Sequence, residues 1–190
     1  MSTRTSPHTS DRTATQPLRP ALVRGALFGV IASLIMAAFA MMAAATYQGV
    51  GFFTPLYHIA STLISPSTMM ASMQQAADGS TFYFAFGPAV LGAVIHMMIG
   101  AMYGAVFAVA AAALRLHDAG LVAAGALWGV LVFLISSFVA LPLVATLLGS
   151  GDQITHMASM VGYGTFLAEH VLFGLTLGLL LASSRLLPRR

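Results

Sequence analysis

His96-Met97-Met98-Ile99-Gly100-Ala101-Met102-Tyr103-Gly104 sets an ionisable ring inside an uncharged apolar run. The pattern returns as His170-Val171-Leu172-Phe173-Gly174-Leu175-Thr176-Leu177-Gly178. Both read His-xxx-Gly-xxx-Gly. Steps of four residues stay on one face of an α-helix, so each ring shares a stripe with its two glycines. Extended outward, the stripes run Pro88-Gly92-His96-Gly100-Gly104-Ala108 and Gly162-Phe166-His170-Gly174-Gly178-Ala182. Gly25-Gly29-Ser33-Ala37 and Gly125-Gly129 form further ridges of the same kind. Small residues at this spacing let membrane helices approach closely. Each histidine is therefore expected to face protein and not lipid.

Only 7% of the 190 residues are charged and 58% are hydrophobic, where a soluble domain carries roughly 25% charge. Such a chain cannot cover a water-facing surface, and it reads as a polytopic membrane protein. The absence of cysteine excludes disulfides, thiolate metal sites, iron–sulfur clusters and cysteine nucleophiles. All eight basic residues are arginines: Arg4, Arg12, Arg19, Arg24, Arg115, Arg185, Arg189 and Arg190. They flank apolar runs without interleaved aromatics, which marks them as topology signals and argues against nucleic acid as a partner.

Four apolar runs meet the need for about 20 residues per membrane crossing: 24–47, 86–114, 119–148 and 163–186. Residues 1–20, rich in Ser, Thr and Pro, read as a disordered cytoplasmic tail. The run Gly25–Thr46 exceeds the 7–15 apolar residues of a secretory signal, so it is expected to be a retained helix. With the amino terminus inside, every arginine falls on the cytoplasmic side. The opposite loops, about 48–85 and 149–162, carry no Arg or Lys, only Asp78 and Asp152. That asymmetry predicts a multi-pass protein of the inner (cytoplasmic) membrane with both termini cytoplasmic.

The chain also reads as one unit written twice. Gly25-Ala26-Leu27-Phe28-Gly29-Val30 matches Gly125-Ala126-Leu127-Trp128-Gly129-Val130, and Pro55-Leu56 matches Pro142-Leu143. Thr68-Met69-Met70-Ala71-Ser72-Met73 matches Thr155-His156-Met157-Ala158-Ser159-Met160, before the two histidine motifs match in their turn. The expected fold is an all-α four-helix bundle of two tandem two-helix repeats, 21–118 and 119–190. An even number of spans per copy gives both the same orientation, related by a pseudo-twofold axis along the membrane normal. His96 and His170 then lie roughly 28 and 22 Å from the cytoplasmic charges, at 1.5 Å per residue, both in the outer half.

The candidate chemistry gathers there. His96 and His170 sit in the spans, Glu169 beside the second, and His58 and His156 in the loops. Met70/Met73 and Met157/Met160 are Met-x-x-Met pairs at corresponding loop positions. Imidazole suits copper, zinc, iron and nickel, and thioethers favour Cu(I). The reading is a transition-metal site of the copper type, with His96 and His170 as paired ligands. His58, His156 and the methionines would guide the ion in. Glu169 would tune an imidazole from beyond the ligand shell. Haem between the two histidines fits less well, because its propionates would meet no Arg or Lys on that side. The competing expectation is a non-catalytic structural or assembly subunit. In it Gly25, Gly29, Gly92, Gly100, Gly104, Gly125, Gly129, Gly174 and Gly178 pack helices, and the histidines bond between them. Its partners would be lipid, further copies or other membrane subunits. The chain has no lysine for a phosphate loop, no G-x-S-x-G and no H-E-x-x-H, so nothing points to an enzyme. The segment 55–73 is expected to form a short helix on the outer surface or dipping between spans.

Overall fold

The computed structural model describes residues 18–186, and all their regular structure is helical. Arg4, Arg12, Arg189, Arg190 and most of the expected tail lie outside the described residues. Four stretches are long and apolar enough to cross a membrane: Arg19–Thr46, Phe86–Ala113, Asp118–Leu148 and Tyr163–Ser184. This is the pattern of a multi-pass membrane protein.

Helix α1 (Leu18–Thr46) begins inside the stretch read as tail. Pro20 falls in its first turn, where its missing N–H is not needed. Two short helices, α2 (Thr54–Ala60) and α3 (Ser67–Ala77), precede α4 (Phe86–Ala113). The third span is interrupted: α5 (Asp118–Ile135) passes through a π turn (Ser136–Ala140) into α6 (Leu141–Leu148). Pro142 accounts for the break. It has no N–H to return to the carbonyl four residues back, and the Leu141 N–H bonds Ser136 O, five back. Helices α7 (Asp152–Thr155) and α8 (Met157–Val161) lead into α9 (Tyr163–Leu186).

Glycine ridges set the packing. In the first antiparallel hairpin Gly25 faces Gly104, Gly29 faces Gly100 and Ser33 faces His96. In the second, Leu121 faces Gly178, Gly125 faces Gly174 and Gly129 faces His170. A Cβ on any of these helical glycines would come within 3 Å of the opposing helix. Backbones this close gain dispersion contacts along the whole ridge, which is what holds helices together where lipid is as apolar as leucine. Helix α1 also packs on α9, so the neighbours run α4, α1, α9, α5. The circuit closes where Trp128 of α5 meets Phe107 and Tyr103 of α4, at ring separations of 5.9 and 6.3 Å.

At the end that carries the long connections, α2 dips against α4 and does not lie on the surface. Gly92 makes the room, because its missing side chain faces the Leu56 carbonyl. Tyr57 pins the contact: its hydroxyl donates to Tyr83 O (2.9 Å) and accepts from the Ala85 N–H (2.7 Å). Segment 55–73 is thus covered by two helices, α2 largely buried and α3 only partly so, through Met69 and Ser72. The connections of the two hairpins are joined to each other. Gln48 Nε2 donates to Val161 O (2.8 Å), Ser150 Oγ to Thr62 O (2.6 Å) and His58 Nε2 to Gln153 O (2.7 Å).

Candidate ligand cavity between the helical hairpins

Apolar side chains collect in three clusters. One, around Phe107, Leu121, Phe173 and Leu177, fills the arginine-bearing end. The others sit at the loop-rich end, around Phe133, Ile154 and Phe166 and around Leu56, Tyr57 and Met69. Between them lies a cavity of about 300 Å³, at the lower bound of ordinary ligand pockets. Its walls are mostly apolar, with Leu56, Ile95, Ile99, Val132, Leu141 and Phe173 among them. Into it come His58, His96, Glu169 and His170.

The π turn shapes one wall, through Ser136, Ala140 and Leu141. Wide turns of this kind are found at functional sites, where they re-aim the residues around them. Ser137 Oγ beside it is buried with no hydrogen-bond partner.

Each imidazole in the cavity spends one nitrogen on a backbone carbonyl. His96 Nε2 bonds Ser33 O across the hairpin (2.9 Å), and His170 Nδ1 bonds Phe166 O in its own helix (2.7 Å). His58 Nε2 bonds Gln153 O. A carbonyl only accepts, so the bonded nitrogen carries the hydrogen and the neutral ring keeps a lone pair on the other. The tautomers follow: Nε2–H for His58 and His96, Nδ1–H for His170. Burial pushes the His58 imidazole below its ordinary range, and the Gln153 carbonyl offsets only part of this.

Glu169 is 5% exposed and makes no hydrogen bond or ion pair among the described residues. Backbone carbonyls orient both neighbouring rings, and among the described residues Glu169 bonds neither of them. The site thus offers imidazole lone pairs, which only accept, and a carboxyl without a partner, which accepts when ionised and also donates when protonated, on apolar walls.

Other residues singled out from the sequence lie elsewhere. His156 is exposed, with Nδ1 bonded to Asp152 O of its own turn (3.2 Å). Met70 and Met160 are 61% and 50% exposed, and Met73 packs on the Tyr57 cluster. Of the two Met pairs only Met157 reaches the cavity, where Met36 and Met102 of the spans join it. Among the described residues no three of His, Asp and Glu converge closely enough to hold one metal ion. Met36, Met102, Tyr103 and the π turn were not singled out by spacing; Pro142 within the apolar run is the signal for the last. Comparison with protein-family models, curated proteins and solved structures finds no match to this chain.

Proposed function

We propose that this chain is a membrane protein that holds a guest between its two hairpins, and that the guest supplies an acidic hydrogen or a positive charge. One observation carries the reading. Glu169, buried without a partner, shares a cavity with three imidazoles whose N–H groups are already committed. The carboxyl oxygens are open to this cavity and not sealed in the packed core, so a guest can reach them. The arrangement calls for a donor.

A neutral molecule with one or two hydroxyl hydrogens suits it best. Such a guest bonds each acceptor separately, so the acceptors need not converge, and its body rests on the apolar walls. A transition-metal ion of the copper type is the second reading. It is favoured by the thioethers of Met36, Met102 and Met157 beside the imidazoles, a donor set suited to soft ions. It requires the groups to draw together on binding.

The test is the content of protein purified in mild detergent, with Glu169→Gln and His170→Phe alongside. Metal-free protein that carries a small organic molecule, depleted in both variants, is the expected result. Stoichiometric metal lost from the variants would replace the first reading with the second. Protein empty of both would leave only a packed bundle, the structural subunit, and would overturn the proposal.

We also propose that the chain is a tandem duplication with a pseudo-twofold along the membrane normal. Equivalent ridges pack both hairpins, although the second pairs Gly125 with Gly174 where the sequence matches would pair it with Gly178. The arginines support cytoplasmic termini and an inner-membrane location. Single cysteines introduced at Ser80 and Ser183 of this cysteine-free chain, labelled from either side, test that orientation.

A further inference from the structure

We infer that the guest enters the cavity from the bilayer, through a slit between α4 and the third span, and is a single-chain amphiphile with a hydroxyl head. This rests on the reading of the cavity as a donor-seeking site, and it adds the route and the chemical class.

The slit has two apolar lips. On α4 they are Ile95, Ile99 and Met102, at i, i+4 and i+7. On the third span they are Ser136, Ala140 and Val144, every fourth residue through the π turn, with buried Val132 on the same face inside the cavity. Ile99 and Met102 line the cavity and are also 44% and 53% exposed, so the mouth lies beside them. Below the mouth, toward the arginine-bearing end, α4 and α5 are joined by Trp128 against Tyr103 and Phe107.

The depth of the mouth sets what can reach it. Ile99 lies 13 residues after Phe86 and 14 before Ala113, and Ser136 lies 18 after Asp118 and 12 before Leu148. At 1.5 Å per residue each is about 20 Å from the nearer helix end. A bilayer with a hydrocarbon core about 30 Å thick meets this opening with acyl chains and no water. An ion or a polar solute does not arrive by such a path, but a molecule dissolved in the bilayer does.

The far wall sets the head. Helix α9 stands diagonally across from α4 in the circuit of spans, and it carries Glu169 and His170. A molecule passing the slit head-first brings its hydroxyl to these acceptors and leaves its chain between the lips. A volume of about 300 Å³ has room for one slender body and none for a two-chain lipid with a phosphate head.

The probe is hexadecan-1-ol with a mid-chain diazirine, added to the full chain in phosphatidylcholine nanodiscs and mapped by peptide mass spectrometry after irradiation. We expect saturable labelling on both lips, at Ile95, Ile99 or Met102 and at Val144. Unlabelled hexadecan-1-ol should reduce it at least tenfold and hexadecane should not. Ile99→Trp, placed at the exposed mouth, should reduce it severalfold, and Leu127→Trp on the lipid-facing side of α5 serves as the control. Labelling that does not saturate and spreads over lipid-facing positions such as Val94 and Val106 would overturn the inference, with no variant needed. Equal competition by hexadecane would keep the slit but remove the hydroxyl head, and with it the donor-seeking site. Saturable labelling away from both lips would refute the route and leave the site reading standing.

Discussion

Gly87 and Gly92 lie five residues apart on α4, yet the structure gives alanine at these positions opposite signs. At Gly92 an added Cβ would collide with the Leu56 carbonyl oxygen, and it would lie 2.7 Å from the carbonyl carbon and 3.1 Å from Cα. These are backbone atoms of α2, which Tyr57 ties down at both Tyr83 and Ala85. No side chain can swing aside, so α2 has to move as a body. Overpacking of this kind costs about 1–3 kcal/mol, while replacing glycine in a helix returns about 0.5–1 kcal/mol. The net for Gly92→Ala is a loss of about 1–2 kcal/mol. At Gly87 a Cβ meets nothing within 4 Å, so Gly87→Ala keeps the return and raises stability by up to about 1 kcal/mol. Thermal unfolding in detergent, followed by circular dichroism, reads both. For a chain of this size 1 kcal/mol moves Tm by about 2–4 °C, so Gly92→Ala should fall by about 2–8 °C and Gly87→Ala should hold or rise. A Gly92→Ala protein as stable as the parent would refute the docking of α2 on the glycine ridge.

Other perturbations separate the remaining contacts. His58 has a lowered pKa when folded, so the unfolded chain takes up the proton first. Stability should therefore fall as pH drops below about 6.5, the ordinary histidine value, and His58→Gln should flatten that slope in denaturant titrations at pH 7.5 and 5.5; an unchanged slope would count against the buried ring. Pro142→Ala restores an N–H and lets the π turn tighten, so stability should hold or rise, by at most about 3 kcal/mol. Its cavity should lose guest, and unaltered retention would show that the wide turn does not shape the site. His96→Phe removes a bond between helices, worth about 0.6 and at most about 1.7 kcal/mol in membrane proteins. His170→Phe removes only a bond within its own helix, so the first variant should melt lower than the second, and the reverse order would contradict the assignment.

The spans and their mutual faces were legible because four-residue steps put small residues on one stripe, though the stripe leaves the register open, and Gly125 meets Gly174 where the matches would pair it with Gly178. Span limits at 86–113 and 163–186 follow from where the apolar runs stop. The start of α1 was not legible in the same way, since Leu18-Arg19-Pro20 carries no apolar period. The docking of α2 depends on Gly92 meeting Leu56, a contact between distant segments that neither segment announces. The methionine pairs show the limit most clearly. Their spacing marks a shared helix face but not where that face points. The short helices α3 and α8 lie in connections turned by glycines at positive φ, with Gly79 just after α3 and Gly162 closing α8. On these helices Met70 and Met160 face outward. Met36 and Met102, indistinguishable in sequence from ordinary gap-fillers, are the ones that reach the cavity.

The same motif, spelled twice, does not produce the same ring. Opposite His96 stands Ser33, whose carbonyl is open to the imidazole, so the ring reaches across and ties α4 to α1. Opposite His170 stands Gly129, which lets α5 press against the His170 carbonyl itself. With the neighbouring backbone so close, the ring turns along its own helix to Phe166 O and packs on the Phe166 and Phe133 rings at 4.4 and 6.2 Å. One histidine therefore offers Nδ1 and the other Nε2, on helices held in different registers. A metal ion takes either imidazole nitrogen but asks several donors to converge on it, and among the described residues no three of His, Asp and Glu do so. A hydroxyl guest asks only for an acceptor within reach of each hydrogen. It is on this lack of a converging donor set that the proposal of a hydroxyl guest, in preference to an ion, rests.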